Sequence, residues 1–158
     1  MKDPIPMTPP GLQKLKDELK LIKSVERPKN IEDIERARAQ GDLSENAEYE
    51  AAKDRQGYLA ARMGQLEDAI ARAQVIDPTQ LKHEKVVFGA TVRSSDCESG
   101  DEVTYQIVGP FEADLKIGRI SVESPIARSF IGKTVGDIAK FSSPKGTREF
   151  EILEIIYK

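Results

Sequence analysis

Two carboxylates stand close together in a short run of turn-forming residues, Gly41-Asp42-Leu43-Ser44-Glu45. Such a pair suits phosphodiester chemistry. Hydrolysis of that bond benefits from two divalent cations about 3.5–4 Å apart, one activating water and one stabilising the leaving oxygen. Mg²⁺ keeps several of its waters and takes only a few protein carboxylates. Asp42 and Glu45 are therefore too few for a tight site of their own, but they can complete a site half built by another macromolecule. In that role they would jointly hold a second, weakly bound Mg²⁺, directly or through its waters, and orient the attacking water. Residue type does not say which of the two acts as base. A plainer role competes, because Asp three residues before Glu resembles a helix N-cap with an acidic partner in the first turn. Both roles hold together if Ser44 caps and Asp42 stays free.

The elements on either side must explain where this pair is held. Between Thr8 and Gln40 the apolar residues Leu12, Leu15, Leu19 and Ile22 recur at spacings of 3, 4 and 3, the seam of a helix that packs on another helix. Thr8 with Pro9 is a helix start. The seam loses phase at Arg27-Pro28 and resumes with Ile31, Ile34 and Ala37, which predicts a kink or brief unwinding near Pro28. A second seam runs from Glu45 to Ala73 through Tyr49, Ala52, Gln56, Leu59, Met63, Leu66, Ile70 and Ala73. Gly57 and Gly64 interrupt it at roughly 1 kcal/mol each relative to Ala. Only Gly41-Asp42-Leu43-Ser44 separates the arms, and so short a connection forces an antiparallel hairpin with the loop at its far tip. With about 30 residues per arm at 1.5 Å rise, the hairpin spans roughly 45 Å, more than a compact domain of this size needs. A cap does not account for that reach.

The period then changes to two. After Val75-Ile76-Asp77-Pro78, the polar stretch from Thr79 to Lys85 has the composition of a linker. Val86 to Val92, Val103-Tyr105-Ile107, Ile117 with Ile120-Val122, and Phe150-Ile152-(Leu153)-Ile155 predict four or more strands. Turn signals separate them at Ser99-Gly100, Gly109-Pro110 and Pro144-Lys145-Gly146. A short helix should start at Ser124-Pro125 and close near Ile131-Gly132. The expected class is α+β: a long antiparallel coiled-coil domain over residues 1–78 with an acidic tip at 41–45, then a small antiparallel β-sheet domain with one short helix over residues 79–158.

Composition narrows the function classes. The 158 residues are 39% hydrophobic and 32% charged, with a formal net charge of -3, and neither half departs far from balance. No basic footprint points to autonomous nucleic-acid binding. Apolar runs such as Val86-Val87-Phe88 fall far short of the ~20 residues that span a bilayer. The start Met1-Lys2-Asp3-Pro4 lacks the features of a signal peptide, and the lone Cys97 and lone His83 make no metal cluster. A cytoplasmic protein, not membrane-bound, is expected.

Gly41-Asp42-Leu43-Ser44-Glu45-Asn46-Ala47-Glu48-Tyr49, followed by Ala51-Ala52-Lys53, resembles the signature of the bacterial Gre transcript-cleavage factors. The resemblance covers essentially the whole chain. Met7-Thr8 with Gly11 and Leu15, Arg27-Pro28, Val75-Ile76-Asp77, Val87-Phe88-Gly89-Ala90-Thr91-Val92 and Ser124-Pro125-Ile126-Ala127-Arg128 look like further landmarks, closer to the GreA branch than to GreB. The broader basic patch of GreB-type factors is not evident.

The resemblance implies a coiled coil followed by a domain of FKBP-like topology that docks at the rim of the RNA polymerase secondary channel. The hairpin enters the channel, and the tip stimulates the polymerase's own Mg²⁺-dependent cleavage of backtracked RNA, rescuing arrested complexes. By position, Asp42 and Glu45 take the roles of the tip carboxylates, acting in trans on a Mg²⁺ shared with polymerase. The factor itself would be no enzyme, would bind no cofactor alone and would be a monomer, with polymerase and the nascent RNA 3′ end as partners. In the family a small basic spot meets the RNA end, and Arg38 and Lys53 match it; the alternative is a solvated face shared with Arg36, Asp54 and Arg55. Tyr49 either touches RNA or belongs to the seam, while Asn46 and Glu48 match the motif without an evident role. Ser124, Pro125 and Arg128 match a region the family uses to dock on polymerase, and equally fit plain helix initiation. Two rivals remain. One is a prolyl isomerase or chaperone drawing on Phe88, Tyr105, Phe111, Phe130 and Phe141, and the other a channel-binding regulator that promotes no cleavage.

Overall fold

Leu15, Ile22, Asn30 and Ala37 are buried along one arm of a helical hairpin, and Ala52, Leu59 and Leu66 along the other. The computed structural model describes residues 3–41 and 46–158. The first arm is α1 (Pro9–Leu21), a π-helical turn (Ile22–Glu26) and α2 (Arg27–Ala39); the second is α3 (Ala47–Ala71). Ala52, Leu59 and Leu66 on the second arm are seven residues apart, the repeat that keeps one face of a helix toward a partner, and Ala69 is buried beyond them. On the first arm the interval from Ile22 to Asn30 is eight, which would carry a regular helix about 80° off the seam.

The π turn absorbs that extra residue. Pro28 has no N–H to offer Ser24, and its ring crowds that carbonyl. The chain instead widens, with the Arg27 N–H donating to the Ile22 carbonyl five residues back. Unwinding and a loss of phase near Pro28 were expected; the residue at which the seam resumes was not. Asn30 (4% exposed) takes the inward position and Ile31 (46% exposed) is turned outward, contrary to the expected seam. Glu18 faces Arg62, Glu26 faces Arg55, Asn30 faces Ala52 and Ala37 faces Asn46, so the arms run antiparallel.

Two compact units result, Gln13–Arg72 and a second that joins Met1–Leu12 to Ala73–Lys158. This grouping differs from a linear division at residue 78. Its cause is a parallel pair missed in the sequence, β1 (Ile5–Met7) beside β2 (Ala73–Val75), which takes the first residues into the second unit. Pro6 and Gln74 fall within these three-residue runs, too short to show a period.

The second unit holds a five-stranded sheet, built from β3 (Thr91–Asp96), β4 (Glu102–Val108), β5 (Arg119–Ser121), β6 (Ile138–Ser143) and β7 (Gly146–Ile156). The order is β5-β4-β3-β7-β6, antiparallel except for the parallel β4–β5 pair. The one short helix, α4 (Pro125–Phe130), buries Ala127 and Phe130 against Val92, Ile107, Phe150 and Ile152. Phe130 meets Phe150 edge-on at 6.3 Å between ring centres, and Phe141 stacks on Phe150 at 5.8 Å. The broken alternation at Leu153 is a β-bulge, where pairing with β3 steps from Arg93↔Glu154 to Ser94↔Ile152.

Two expectations shift, and one strand was not expected. Val86–Ala90 is not strand but a turn through Gly89 (φ 91°), its Val86 amide bonded to the Lys133 carbonyl at 2.8 Å. Ile117 ends a 3₁₀ turn, Leu115–Ile117, and lies outside β5. Strand β6 carries only Ile138, Ala139 and Phe141 as apolar residues, a pattern too thin to stand out.

Glu112 fastens the start of α1 within the second unit. Its carboxylate accepts from the Thr8 and Gly109 amides, each at 3.0 Å, and from the Thr8 hydroxyl. A Cβ at Gly109 would lie 2.1 Å from the Pro6 carbonyl oxygen, whereas one at Gly64 would meet nothing within 4 Å. Chemical denaturation should therefore show Gly109→Ala destabilising by about 1–3 kcal/mol through forced displacement of β1. Gly64→Ala should stabilise by up to about 1 kcal/mol through helix propensity. A Gly109→Ala variant as stable as the parent would contradict the first assignment, and a destabilised Gly64→Ala variant the second.

Candidate functional site

The apex is anchored from both arms. At the end of α2 the Gln40 amide donates to the Ala37 carbonyl (3.2 Å) and the Gly41 amide to the Arg38 carbonyl (3.4 Å). Gly41 has φ 110°, a conformation L side chains rarely adopt. On the returning arm Asn46 is the N-cap of α3, its Oδ1 accepting from the Tyr49 amide at 3.1 Å. The same carboxamide donates through Nδ2 to the Ala37 carbonyl at 2.8 Å. Glu48 and Glu50 occupy the first turn of α3, where the helix dipole favours negative charge. Asp42, Leu43, Ser44 and Glu45 lie outside the described residues, so the expected tip carboxylates and their share in a Mg²⁺ site are known here only by position in the chain.

Asn46 carries the capping role that the sequence left open. A second asparagine, Asn30, is buried in the seam and donates to the Ala52 carbonyl at 2.9 Å. A polar residue at such a position fixes register at some expense of stability. Both were legible in principle: Asn46 from N-cap preference immediately before a helical run, and Asn30 from counting sevens once the extra residue is allowed.

The flanks of the hairpin differ. One holds a groove of about 550 Å³ lined by Arg27, Ile31, Lys53, Gln56, Gly57 and Ala60, among others, with no acidic residue in its lining. Arg38 stands seven residues after Ile31, and Tyr49 four before Lys53 and seven before Gln56, so helical periodicity puts Arg38, Tyr49 and Lys53 on this same flank. Asp33, Arg36, Glu48 and Arg55 line a depression on the opposite flank. There Arg36 lies 3.6 Å from Asp33, and Arg55 lies 3.3 Å from Glu26. The Lys53 ammonium bonds to Gln56 Oε1 at 2.8 Å, and Arg38 is exposed. Tyr49 is half-buried at the edge of the seam.

In the β-sheet unit, Ser124 caps α4. Its hydroxyl accepts from the Ala127 amide (3.3 Å) and donates to the Ser121 carbonyl (2.7 Å). Pro125 opens the helix, and both it and Arg128 are exposed. Beside them lies a depression of about 650 Å³ whose lining includes Leu115, Arg119, Ser124 and Ile126. Leu115 is 74% exposed and Ile117 60%. Sequence reasoning missed this apolar patch because Ile117 fitted a strand pattern. Among the described residues no three His, Cys, Asp or Glu side chains converge as metal ligands, and no helix is long and apolar enough to cross a membrane.

The fold defines a helical-hairpin protein with a β-sheet unit, and the acidic run Asp42-Leu43-Ser44-Glu45 lies in the chain between the two arms. Family models described as "Transcription elongation factor, N-terminal" and "Transcription elongation factor, GreA/GreB, C-term" match residues 5–75 and 81–157. The chain belongs to the GreA/GreB family. It is 56% identical to the transcription elongation factor GreA of Anaeromyxobacter sp. (strain K), over 97% of this chain and 92% of that protein. It is also 56% identical to the GreA of Verminephrobacter eiseniae, over 98% of each chain. Among solved structures, the GreA factor homolog 1 (Gfh1) of Thermus thermophilus is 28% identical, covering 97% of this chain and 99% of its own, with a TM-score of 0.43.

Ion pairs across the arms stiffen what carries the tip. Arg62 grips Glu18 through two bonds, Nε to Oε2 at 2.5 Å and Nη2 to Oε1 at 2.9 Å, and Lys23 lies 3.3 Å from Glu67. Hydrogen bonding from Arg62 lowers the Glu18 carboxyl below its usual 4.5, helped by charge attraction and opposed by partial burial. A lowered folded-state value contributes stability that is complete above the unfolded value and is lost as pH falls through the folded one. Urea melts should thus show Glu18→Gln less stable than the parent at pH 7, with the gap closing as pH drops below 4.5. A gap that persists unchanged at pH 3 would show that the charge is not its source.

Proposed function

We propose that this chain is a transcript-cleavage factor that acts on bacterial RNA polymerase in the cytoplasm. Its β-sheet unit docks at the rim of the secondary channel, and its hairpin brings Asp42 and Glu45 to the polymerase active site. There it stimulates the polymerase's own hydrolysis of backtracked RNA and so rescues arrested complexes. The observation that carries this reading is the place of the acidic signature: it joins two long antiparallel arms at an apex pinned from both sides by Gln40, Gly41 and Asn46. Family membership supports the same conclusion.

The chain acts as an accessory, since two carboxylates complete a metal site but do not make one. Mg²⁺ at the polymerase centre supplies charge stabilisation and an activated water when bound. Asp42 and Glu45 supply negative charge and orient water. Arg38, Tyr49 and Lys53 form the flank turned to the RNA 3′ end, a role favoured by their shared side and by the acid-free lining of the groove beside Lys53. Pro125 and Arg128 serve docking together with the exposed Leu115 and Ile117, while Ser124 acts through the cap it makes. The sheet order and its single packed helix favour an FKBP-like topology, without implying isomerase chemistry. Phe130, Phe141 and Phe150 are packed against one another in the core, which speaks against a prolyl pocket built from them.

Added to backtracked complexes with Mg²⁺, the protein should accelerate RNA cleavage and leave free RNA intact when polymerase is absent. Asp42→Ala and Glu45→Ala should each reduce the stimulation by about tenfold or more, on the scale of removing a group that stabilises transition-state charge. Undiminished cleavage with either variant would overturn the tip assignment. The flank assignment has its own test: Arg38→Gln and Lys53→Gln should weaken stimulation and flatten its salt dependence. Arg36→Gln and Arg55→Gln should leave both unchanged, and equal losses from the two pairs would count against a one-sided RNA contact.

A further inference from the structure

We propose that Asn46 is a positioning residue for the tip carboxylates, its single carboxamide setting the geometry of the apex by serving both arms at once. This deepens the function proposed above and rests on it. The Oδ1 atom accepts from the Tyr49 amide at 3.1 Å, and Nδ2 donates to the Ala37 carbonyl at 2.8 Å. That carbonyl also receives the Gln40 amide at 3.2 Å, so both its lone pairs are used at a helix end where carbonyls otherwise lack partners. Ala37 is 2% exposed, which limits competition from water for the contact.

Capping alone does not require this side chain. Asn, Asp and Ser serve about equally as N-caps, because the cap uses only an acceptor oxygen. The bond to Ala37 needs a donor as well, and of the first two only the carboxamide carries one, while a serine hydroxyl is too short to span the arms. Asn46 follows Glu45 by one peptide bond, and its tie to Ala37 closes the chain between the arms into a ring containing Asp42 and Glu45. Where catalytic groups must act together, a displacement of about 1 Å can lower a rate roughly 100-fold. The clamp therefore sets how well the carboxylates act once delivered, and leaves the affinity for polymerase to the rest of the molecule.

The experiment compares the full-length protein with Asn46→Asp and Asn46→Ser, which keep an acceptor for the cap and lose the donor to Ala37. Each is titrated to saturation on backtracked complexes with Mg²⁺. Both variants should keep the half-saturating concentration within about twofold and lose about tenfold or more in maximal cleavage rate. Wild-type maximal rates, or a loss fully recovered at higher factor concentration, would overturn the proposal. Hydrogen exchange of the free proteins provides a readout without polymerase. The Gln40 and Gly41 amides should exchange at least about fivefold faster in both variants, while those in the middle of α3 stay protected. Unchanged exchange near the apex would sink the clamp whatever the cleavage result. Failure of the function proposal is separately visible, as absent stimulation by the parent protein or indifference to Asp42→Ala and Glu45→Ala.

Discussion

Two helices can share a seam only while both return the same face to each other every seven residues. The first arm carries one residue too many for that rule, and the π turn at Ile22–Glu26 is where the excess is stored. Without it, Ile34 and Ala37 would rotate away from Ala52 and the apex would lose its anchor in Ala37. The widened turn lies immediately before Pro28, where a regular helix already lacks a hydrogen bond, so the irregularity falls where regularity is hardest to keep. Everything nearer the tip, including the two asparagine contacts and the separation of the flanks, inherits its phase from this one turn.

The hairpin was legible because its periodicity is long and a four-residue connection leaves one topology. The phase error was not, because Ile31 is apolar and Asn30 polar, and a scan for apolar spacing chooses the wrong neighbour. The buried asparagine answers to a carbonyl on the other arm, a partner that no local pattern contains. In the sheet, β4 and β7 were readable from alternation, and even the bulge at Leu153 left a trace as a broken alternation. Strands of three residues such as β1, β2 and β5 have no room for a period, and their existence depends on partners distant in sequence. The acidic pair was recognisable from spacing and motif, whereas the bond from Asn46 to the Ala37 carbonyl runs between the arms, where no local pattern records it.

Charge is distributed on the hairpin so that two kinds of arginine and lysine coexist. Arg36 and Arg55 each have an acidic partner at 3.6 Å or less on the hairpin surface. Exposed pairs of this kind are worth little singly, so their use lies in orientation and in cancelling local field. Arg38 and Lys53 have no acidic partner among the described residues, and the Lys53 ammonium bonds to Gln56 instead. Overall balance thus hides a local asymmetry that composition alone does not reveal.

The parallel pairing of Ile5–Met7 with Ala73–Val75 bears on how the chain comes into being. The earlier strand of the pair, Ile5–Met7, has no partner during synthesis until the whole hairpin has followed it out of the ribosome. Closing so long a loop is entropically far cheaper once the intervening helices have formed and drawn its ends together. The hairpin is therefore set to mature during synthesis on local contacts of its own, while Ile5–Met7, made before it, finds its place only afterwards.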